Sequence, residues 1–163
     1  MPTIRPLTAA DAGACDAVVA SLPYHFGDEG GIAGCTRAVR SSPGLVAEVD
    51  GAVVGFLTVD RHLADSAEIT WMAVHADARG HGVGTALIDA LADELRAEGR
   101  RLLLVLTLAE SVPEPGVADG YAATRAFYRR RDFVDAREFV ELWPNHAALL
   151  MVRPLVVADD RDR

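Results

Sequence analysis

Arg79-Gly80-His81-Gly82-Val83-Gly84 sets three glycines at alternate positions, after an apolar run and before an amphipathic helical pattern. Three missing side chains let a backbone approach a ligand closely and turn its N–H groups toward it. A helix that starts at once adds its unpaired first-turn N–H groups and the positive end of its dipole. The chemistry this supports is anion binding, and a pyrophosphate suits the site. Arg79 would add a fixed charge. The glycines alone serve a bare connecting turn equally well. A dinucleotide fingerprint fits less well: the third glycine comes too early, Thr85 stands where Gly is wanted, and no acidic residue ends the next strand about 20 residues on. No Lys-Ser or Lys-Thr pair follows, which argues against a P-loop.

Hydrophobic periodicity supplies the elements that must position this loop. Ala67–His75 reads as the strand before it, and Thr85–Glu98 as the helix after it. Leu87, Ile88, Leu91 and Leu95 fall on one face of that helix, and Gly99 is placed to end it. Upstream, Thr3–Leu7 reads as a short strand. Thr8-Ala9-Ala10-Asp11 resembles a capping box, with Asp for Glu, opening a helix to about Ser21. Pro23–Gly31 reads as a loop and Ile32–Arg40 as a second helix. Gly44–Val49 and Val53–Asp60 read as strands joined at Asp50-Gly51, a strong hairpin signal. Downstream, Leu102–Leu108 is almost wholly apolar, as expected of a central strand covered on both faces. Glu110–Gly120 reads as a loop and Tyr121–Arg131 as a helix. Phe133–Trp143 and Ala147–Pro154 read as two last strands. The expectation is one layered α/β (α+β mixed) domain over residues 1–155 with a charged tail at 156–163.

Bulk properties narrow the classes. The chain has 163 residues, 50% of them hydrophobic, enough for a sizeable core and too many for a disordered chain. No apolar run approaches the ~20 residues of a membrane span. Met1-Pro2-Thr3-Ile4-Arg5 lacks the apolar core of a signal peptide. The reading is a cytoplasmic protein with no membrane partner. A net charge of −8 argues against nucleic acid and weakly favours cationic substrates. Cys15 and Cys35 have no metal-ligand spacing and read as reduced, partly buried thiols, with a disulfide or a nucleophile as the lesser readings. The five histidines (His25, His62, His75, His81, His146) show no ligand spacing either, so no metal is expected.

The run Ala67-Glu68-Ile69-Thr70-Trp71-Met72-Ala73-Val74-His75, followed by Arg79-x-x-Gly82-x-Gly84, resembles the central motif of the GNAT superfamily of N-acetyltransferases. Ile4-Arg5-Pro6-Leu7-Thr8 with Asp11 resembles the family's usual opening. Phe127-Tyr128-Arg129-Arg130-Arg131-Asp132-Phe133 resembles its Phe-Tyr-x-x-x-Gly-Phe, with Asp132 in place of Gly. That Gly ends a helix in the left-handed region, which Asp tolerates better than most residues. The resemblance runs from Thr3 to about Pro154. It implies a twisted, mostly antiparallel sheet of six or seven strands flanked by about four helices, with Ala67–His75 and Leu102–Leu108 splaying at a bulge. The pantetheine of acetyl-CoA would lie in that wedge along Met72, Ala73 and Val74. Its pyrophosphate would rest on Arg79, Gly80, His81, Gly82, Val83, Gly84 and Thr85.

Making an amide from a thioester requires that an ammonium lose its proton, that an oxyanion find donors and that a thiolate be stabilised. Glu68 is the candidate base, since the resemblance implies that role for a Glu at this position. A regular pleat puts it on the face of Thr70 and Met72; a bulge alters that count. Its ordinary pKa, about 4.3, lies far below an alkylamine's, about 10, so burial or a water relay must bridge the gap. Tyr128 is implied as the acid, its hydroxyl directed at the sulfur. The oxyanion donor would be a backbone N–H near Val74. Arg129-Arg130-Arg131 reads mostly as a solvated helix face, with one Arg able to meet the 3′-phosphate. Tyr24, His25, Phe26, Asp28, Glu29, Glu141 and Trp143 are available to an acceptor site. The implied function is acetyl transfer to a primary amine of a small molecule or peptide in a ternary complex. A non-catalytic coenzyme A sensor is the alternative, and an unrelated nucleotide binder a third reading. A homodimer is left open.

Overall fold

A computed structural model describes residues 1–23, 25, 29–110, 120–144 and 146–155. Seven strands form one sheet in the order β1-β2-β3-β4-β5-β7-β6. They are β1 (Thr3–Pro6), β2 (Gly44–Val49), β3 (Ala52–Leu63), β4 (Ser66–Val74), β5 (Leu102–Leu108), β6 (Val134–Trp143) and β7 (His146–Pro154). Every neighbouring pair is antiparallel except β4 and β5. The helices are α1 (Ala12–Ala20), α2 (Glu29–Ser41), α3 (Val83–Ala97) and α4 (Ala122–Arg129). This is the mixed α/β layering the sequence predicts.

Local chemistry accounts for most boundaries. Asp50 and Gly51 both take positive φ, 50° and 79°, as the tight β2–β3 hairpin demands. Gly99 ends α3 at φ 78°, and Asp132 takes the left-handed position expected of it at φ 63°. Asp11 accepts from the Thr8 backbone N–H at 2.9 Å, the capping bond anticipated with Asp for Glu. It also accepts from Arg5 at 2.7 and 2.9 Å, and Arg5 reaches Glu48 on β2. The Arg5 guanidinium holds the Asp11 carboxyl well below the usual carboxylate range. Asp11→Ala should lower unfolding free energy by about 2 kcal/mol, through loss of a cap and of bonds to a charge. A urea melt showing no shift in midpoint would mean that this network does not tie β1 to α1.

Two boundaries differ from the sequence reading by three residues and the others by no more than two. α2 starts at Glu29, earlier than Gly30-Gly31 suggests; Glu29 suits the positive end of the helix, and Cys35 and Val39 anchor its buried side. β3 continues to Leu63, through residues that look like a polar loop, because their charges have partners. Arg61 pairs with Glu94 and Glu98 of α3, and His62 with Glu68 of β4.

The core lies in two layers. On one face Leu45, Leu57, Ile69, Leu103, Val105 and Met151 pack against Leu87, Ile88, Leu91 and Leu95 of α3, with Tyr128 and Phe133 at one end. On the other, Val46, Phe56 and Ala73 pack beneath α1 and α2. Cys15 and Cys35 are free and buried in this second layer, and burial pushes their thiols up to about 11 and about 12. Thiols held protonated in this way are poor nucleophiles. β5 corrects one expectation. Leu103, Val105 and Thr107 are buried, whereas Leu104, Leu106 and Leu108 between them are only partly covered and Leu102 is exposed. The strand is fully covered on the α3 side and only partly on the other.

Candidate active site

The decisive feature of the sheet is a wedge between β4 and β5. These strands pair only from Ser66↔Leu102 to Ile69↔Val105. Beyond that point Trp71–Val74 stays in the ladder with β3 and Leu106–Leu108 in the ladder with β7, and the two strands no longer pair with each other. The cause sits on β4. Thr58 pairs with Trp71 while Val59 pairs with Ile69, so Thr70 is an extra residue on its strand. Such a bulge bends and twists the strand away from its neighbour. The Thr70 hydroxyl is tied to that of buried Thr58 at 2.7 Å, which holds the extra residue in place.

The bulge also resets which side chains share a face. Ile69 packs in the α3 layer, and so do Met72 and Val74, three and five residues on. Trp71 and Ala73 pack in the α1/α2 layer. Glu68 therefore stands with Thr70 and Trp71 on the α1/α2 face, and Met72 is on the opposite one. The regular-pleat expectation, which grouped Glu68 with Met72, is corrected by this one inserted residue.

Glu68 sits at the closed end of the wedge, paired across to Leu104. Its side chain is 21% exposed, and His62 Nε2 donates to Oε2 at 2.7 Å. His62 Nδ1 lies 3.5 Å from Asp60 Oδ1. From the residues alone His62 has no ligand spacing and no assigned role. Its signal was the hairpin itself, which sets Asp60 opposite Glu68 and His62 diagonal to it.

Tyr128 comes from α4 on the other face. It is 6% exposed, with Phe127 and Phe133 at ring edges 5.3 and 5.2 Å between centroids. Its hydroxyl reaches a single hydrogen-bond partner among the described residues, the Met72 thioether sulfur at 3.9 Å. Burial pushes the phenol above its ordinary value, so it stays a protonated donor. A buried hydroxyl with only a weak sulfur acceptor is poorly satisfied. Arg125, one turn before, is also buried and donates to the Leu108 carbonyl at 2.9 Å, fastening the open end of β5 to α4.

The glycine loop leads from the open end of β4 to α3. Gly80 and Gly82 take φ 78° and 80°, and a Cβ at either would meet nothing within 4 Å. Open space over backbone in that conformation, at the start of a 15-residue helix, fits a pyrophosphate. Gly84 is different: a Cβ there would lie 2.9 Å from the Phe127 ring and 3.2 Å from Met72 Cε. Its missing side chain lets α3, α4 and β4 close together. Thr85 is engaged by Arg131, whose Nε donates to its hydroxyl at 2.8 Å while the guanidinium lies 3.9 Å over the Phe127 ring. Arg129 pairs with Asp135. The arginine run is therefore not simply a solvated face. Arg79 donates to His25 Nε2 at 3.3 Å, and the Tyr121 hydroxyl donates to the His25 carbonyl. Burial, then the Arg79 charge, lowers the His25 pKa, so its ring accepts as the neutral form. The structure thus brings Met72–Val74, Arg79–Thr85 and Tyr128 together and sets Glu68 across the sheet. Tyr24, Phe26, Asp28 and most of the 110–120 loop lie outside the described residues.

A family model described as an acetyltransferase (GNAT) domain matches residues 40–135, which hold the wedge, the loop and α4. The chain belongs to the GNAT acetyltransferase family. An IAA acetyltransferase of Azospirillum brasilense is 36% identical over 114 residues, which span 68% of this chain and 67% of that protein. This GNAT chain is accordingly an acetyl-CoA-dependent acyltransferase. Its fold is shared with the ribosomal-protein-S18-alanine N-acetyltransferase of Escherichia coli, at a TM-score of 0.76 and 22% identity over 99% of this chain and 98% of that one. A GNAT family acetyltransferase of Elizabethkingia anophelis with acetyl-CoA bound matches at a TM-score of 0.68 and 16% identity, over 94% and 98% of the two chains. Among the described residues no group of His, Cys, Asp and Glu could hold a metal, and no helix is long and apolar enough to cross a membrane.

Proposed function

We propose that this chain transfers acetyl from acetyl-CoA to a primary amine of a small molecule or peptide, by direct attack of the amine while both substrates are bound. Acetyl-CoA supplies the acetyl group as an activated thioester. The observation that carries the reading is the placement of Glu68 and Tyr128 on opposite faces of the sheet, with the opening of the wedge between them. Glu68 would take the ammonium proton on the α1/α2 face, directly or through water, its carboxylate oriented by His62. Tyr128 would donate to the sulfur on the α4 face. A backbone N–H near Val74, free of β5, would donate to the acyl oxygen. Gly80, Gly82 and the first turn of α3, with Arg79, would hold the pyrophosphate.

The test is coenzyme A release from acetyl-CoA across a panel of primary amines. Turnover with at least one amine is expected; none across a broad panel would overturn the transfer reading. With a productive amine, Glu68→Gln should lower kcat by roughly 10²-fold at neutral pH, in the range of a lost general base. Its acetyl-CoA KM should hardly change, because Glu68 faces away from the phosphate loop. An undiminished kcat would assign the proton transfer elsewhere.

A further inference from the structure

The acceptor side of the wedge has a composition of its own. Alternation along β5 directs Leu104, Leu106 and Leu108 to the α1/α2 face, and all three are only partly covered. They belong to neither core layer. Leu106 stands opposite Leu150 of β7, and Leu108 opposite Ala148, which is itself opposite half-buried Phe139 of β6. Across the opening, the other bank carries Trp71, partly covered and seated over Gly34 of α2, where a Cβ would lie 3.0 Å from its ring. α1 and α2 form their buried layer over β2, β3 and β4, so both helices stop short of this surface.

The closed end of the same opening is acidic. Glu68 is paired directly to Leu104, and Asp60 is paired to Glu68 on its other side. A cationic centre is therefore favoured within one residue of an aliphatic surface. We infer that the acceptor is a small amphipathic amine: a primary ammonium held at Glu68, on an aryl or branched-alkyl body that lies over Leu106, Leu108 and Leu150 against Trp71. The physical reason is the mismatch between the two ends. A polyamine or an aminoglycoside would leave its additional polar groups against these leucines without partners, which costs more than the contact returns. An aryl or branched-alkyl body covers them and leaves its amine at the carboxylate. This inference rests on the transfer reading above and names its substrate class.

The full chain is assayed with acetyl-CoA and 2-phenylethylamine, isoamylamine, ethanolamine, spermidine and an Ala-initiated peptide. The expected result is a kcat/KM for the first two about 10- to 100-fold above that for ethanolamine and spermidine, the discrimination available to an apolar pocket. Leu106→Asn should remove most of that preference by raising the amine KM at least about tenfold, and should leave acetyl-CoA affinity as it is. Leu108→Asn, on the same bank, should act in the same direction and guards against a variant that fails to fold. Equal or better turnover of the hydrophilic amines, or turnover of the peptide alone, overturns the inference. So does a dimer that either variant dissociates without altering amine KM, since the surface would then serve a second copy. Acetyl-CoA binding without turnover of any apolar amine overturns the acceptor class and leaves the coenzyme site standing. Failure to bind acetyl-CoA overturns both.

Discussion

Gly82→Glu should raise the dissociation constant for acetyl-CoA by at least about a hundredfold, roughly 2.7 kcal/mol, in a protein that still folds. Three features of the loop combine in this result. Gly82 caps α3 with φ 80°, a conformation that costs an ordinary L-residue about 1 kcal/mol or more. A Cβ there meets no protein atom within 4 Å, so the added chain projects into the space that the coenzyme phosphates would fill. Its carboxylate would then oppose the phosphate charge at the positive end of α3. The informative control is Gly82→Asn, whose neutral side chain tolerates the left-handed region. It should weaken binding less and melt close to the parent. Titration calorimetry with acetyl-CoA, alongside a thermal melt, separates the two effects. Unchanged affinity in a folded Gly82→Glu protein would remove the loop from the phosphate site. Gly84→Ala should behave in the opposite way, destabilising the fold first, because its Cβ would press on Phe127.

Tyr128→Phe is expected to slow turnover and leave the fold as stable as before, or more so. In the folded chain the Tyr128 hydroxyl is buried and, among the described residues, has only a thioether to bond, at 3.9 Å. Removing a hydroxyl that lacks a good partner should cost nothing and could return about 1 kcal/mol. The same hydroxyl, if it donates to the departing sulfur, contributes a proton-transfer effect of roughly 10²- to 10⁴-fold in kcat. Stability and activity should therefore move in opposite directions, which a packing role alone would not produce. The alkaline side supplies a second check. Burial raises the phenol above its ordinary value of about 10, so the associated stability is present below pH ~10 and is lost above it. Tyr128→Phe should flatten that alkaline loss. A full kcat with the productive amine would exclude the acid role.

Much of this was legible in the residues, because it depends on local chemistry. Gly-x-Gly before an amphipathic helix reveals a left-handed turn and a helix start, and Gly80 and Gly82 take φ 78° and 80° accordingly, because neighbours hardly alter either. Asp50-Gly51, Gly99 and Asp132 reveal their turns for the same reason, and Thr8 with Asp11 reveals the cap. The strand order and the parallel β4–β5 pair follow less directly; the resemblance implied a splayed pair, and the sheet shows where the pairing stops.

What the residues left open depends on one inserted position and on what lies across space. Thr70 as a bulge is invisible in an unbroken run from Glu68 to Val74, yet it puts Glu68 and Tyr128 on opposite faces. His62 looks like one more loop histidine until a longer β3 carries it to the Glu68 carboxylate. Leu102–Leu108 reads as buried on both sides because hydrophobicity records only what a strand could bury. Whether a helix covers each face is settled by packing. Here α3 covers one, and the other stays half open beside the wedge. Sequence alone specifies the glycine turn from Arg79 to Gly84 and the start of α3, since backbone conformation there is local, and the motifs around that turn implied acetyl-CoA as the donor. The placement of Glu68, Tyr128 and the leucines of β5 was decided by tertiary structure, because it depends on strand register and on which faces the helices leave partly uncovered.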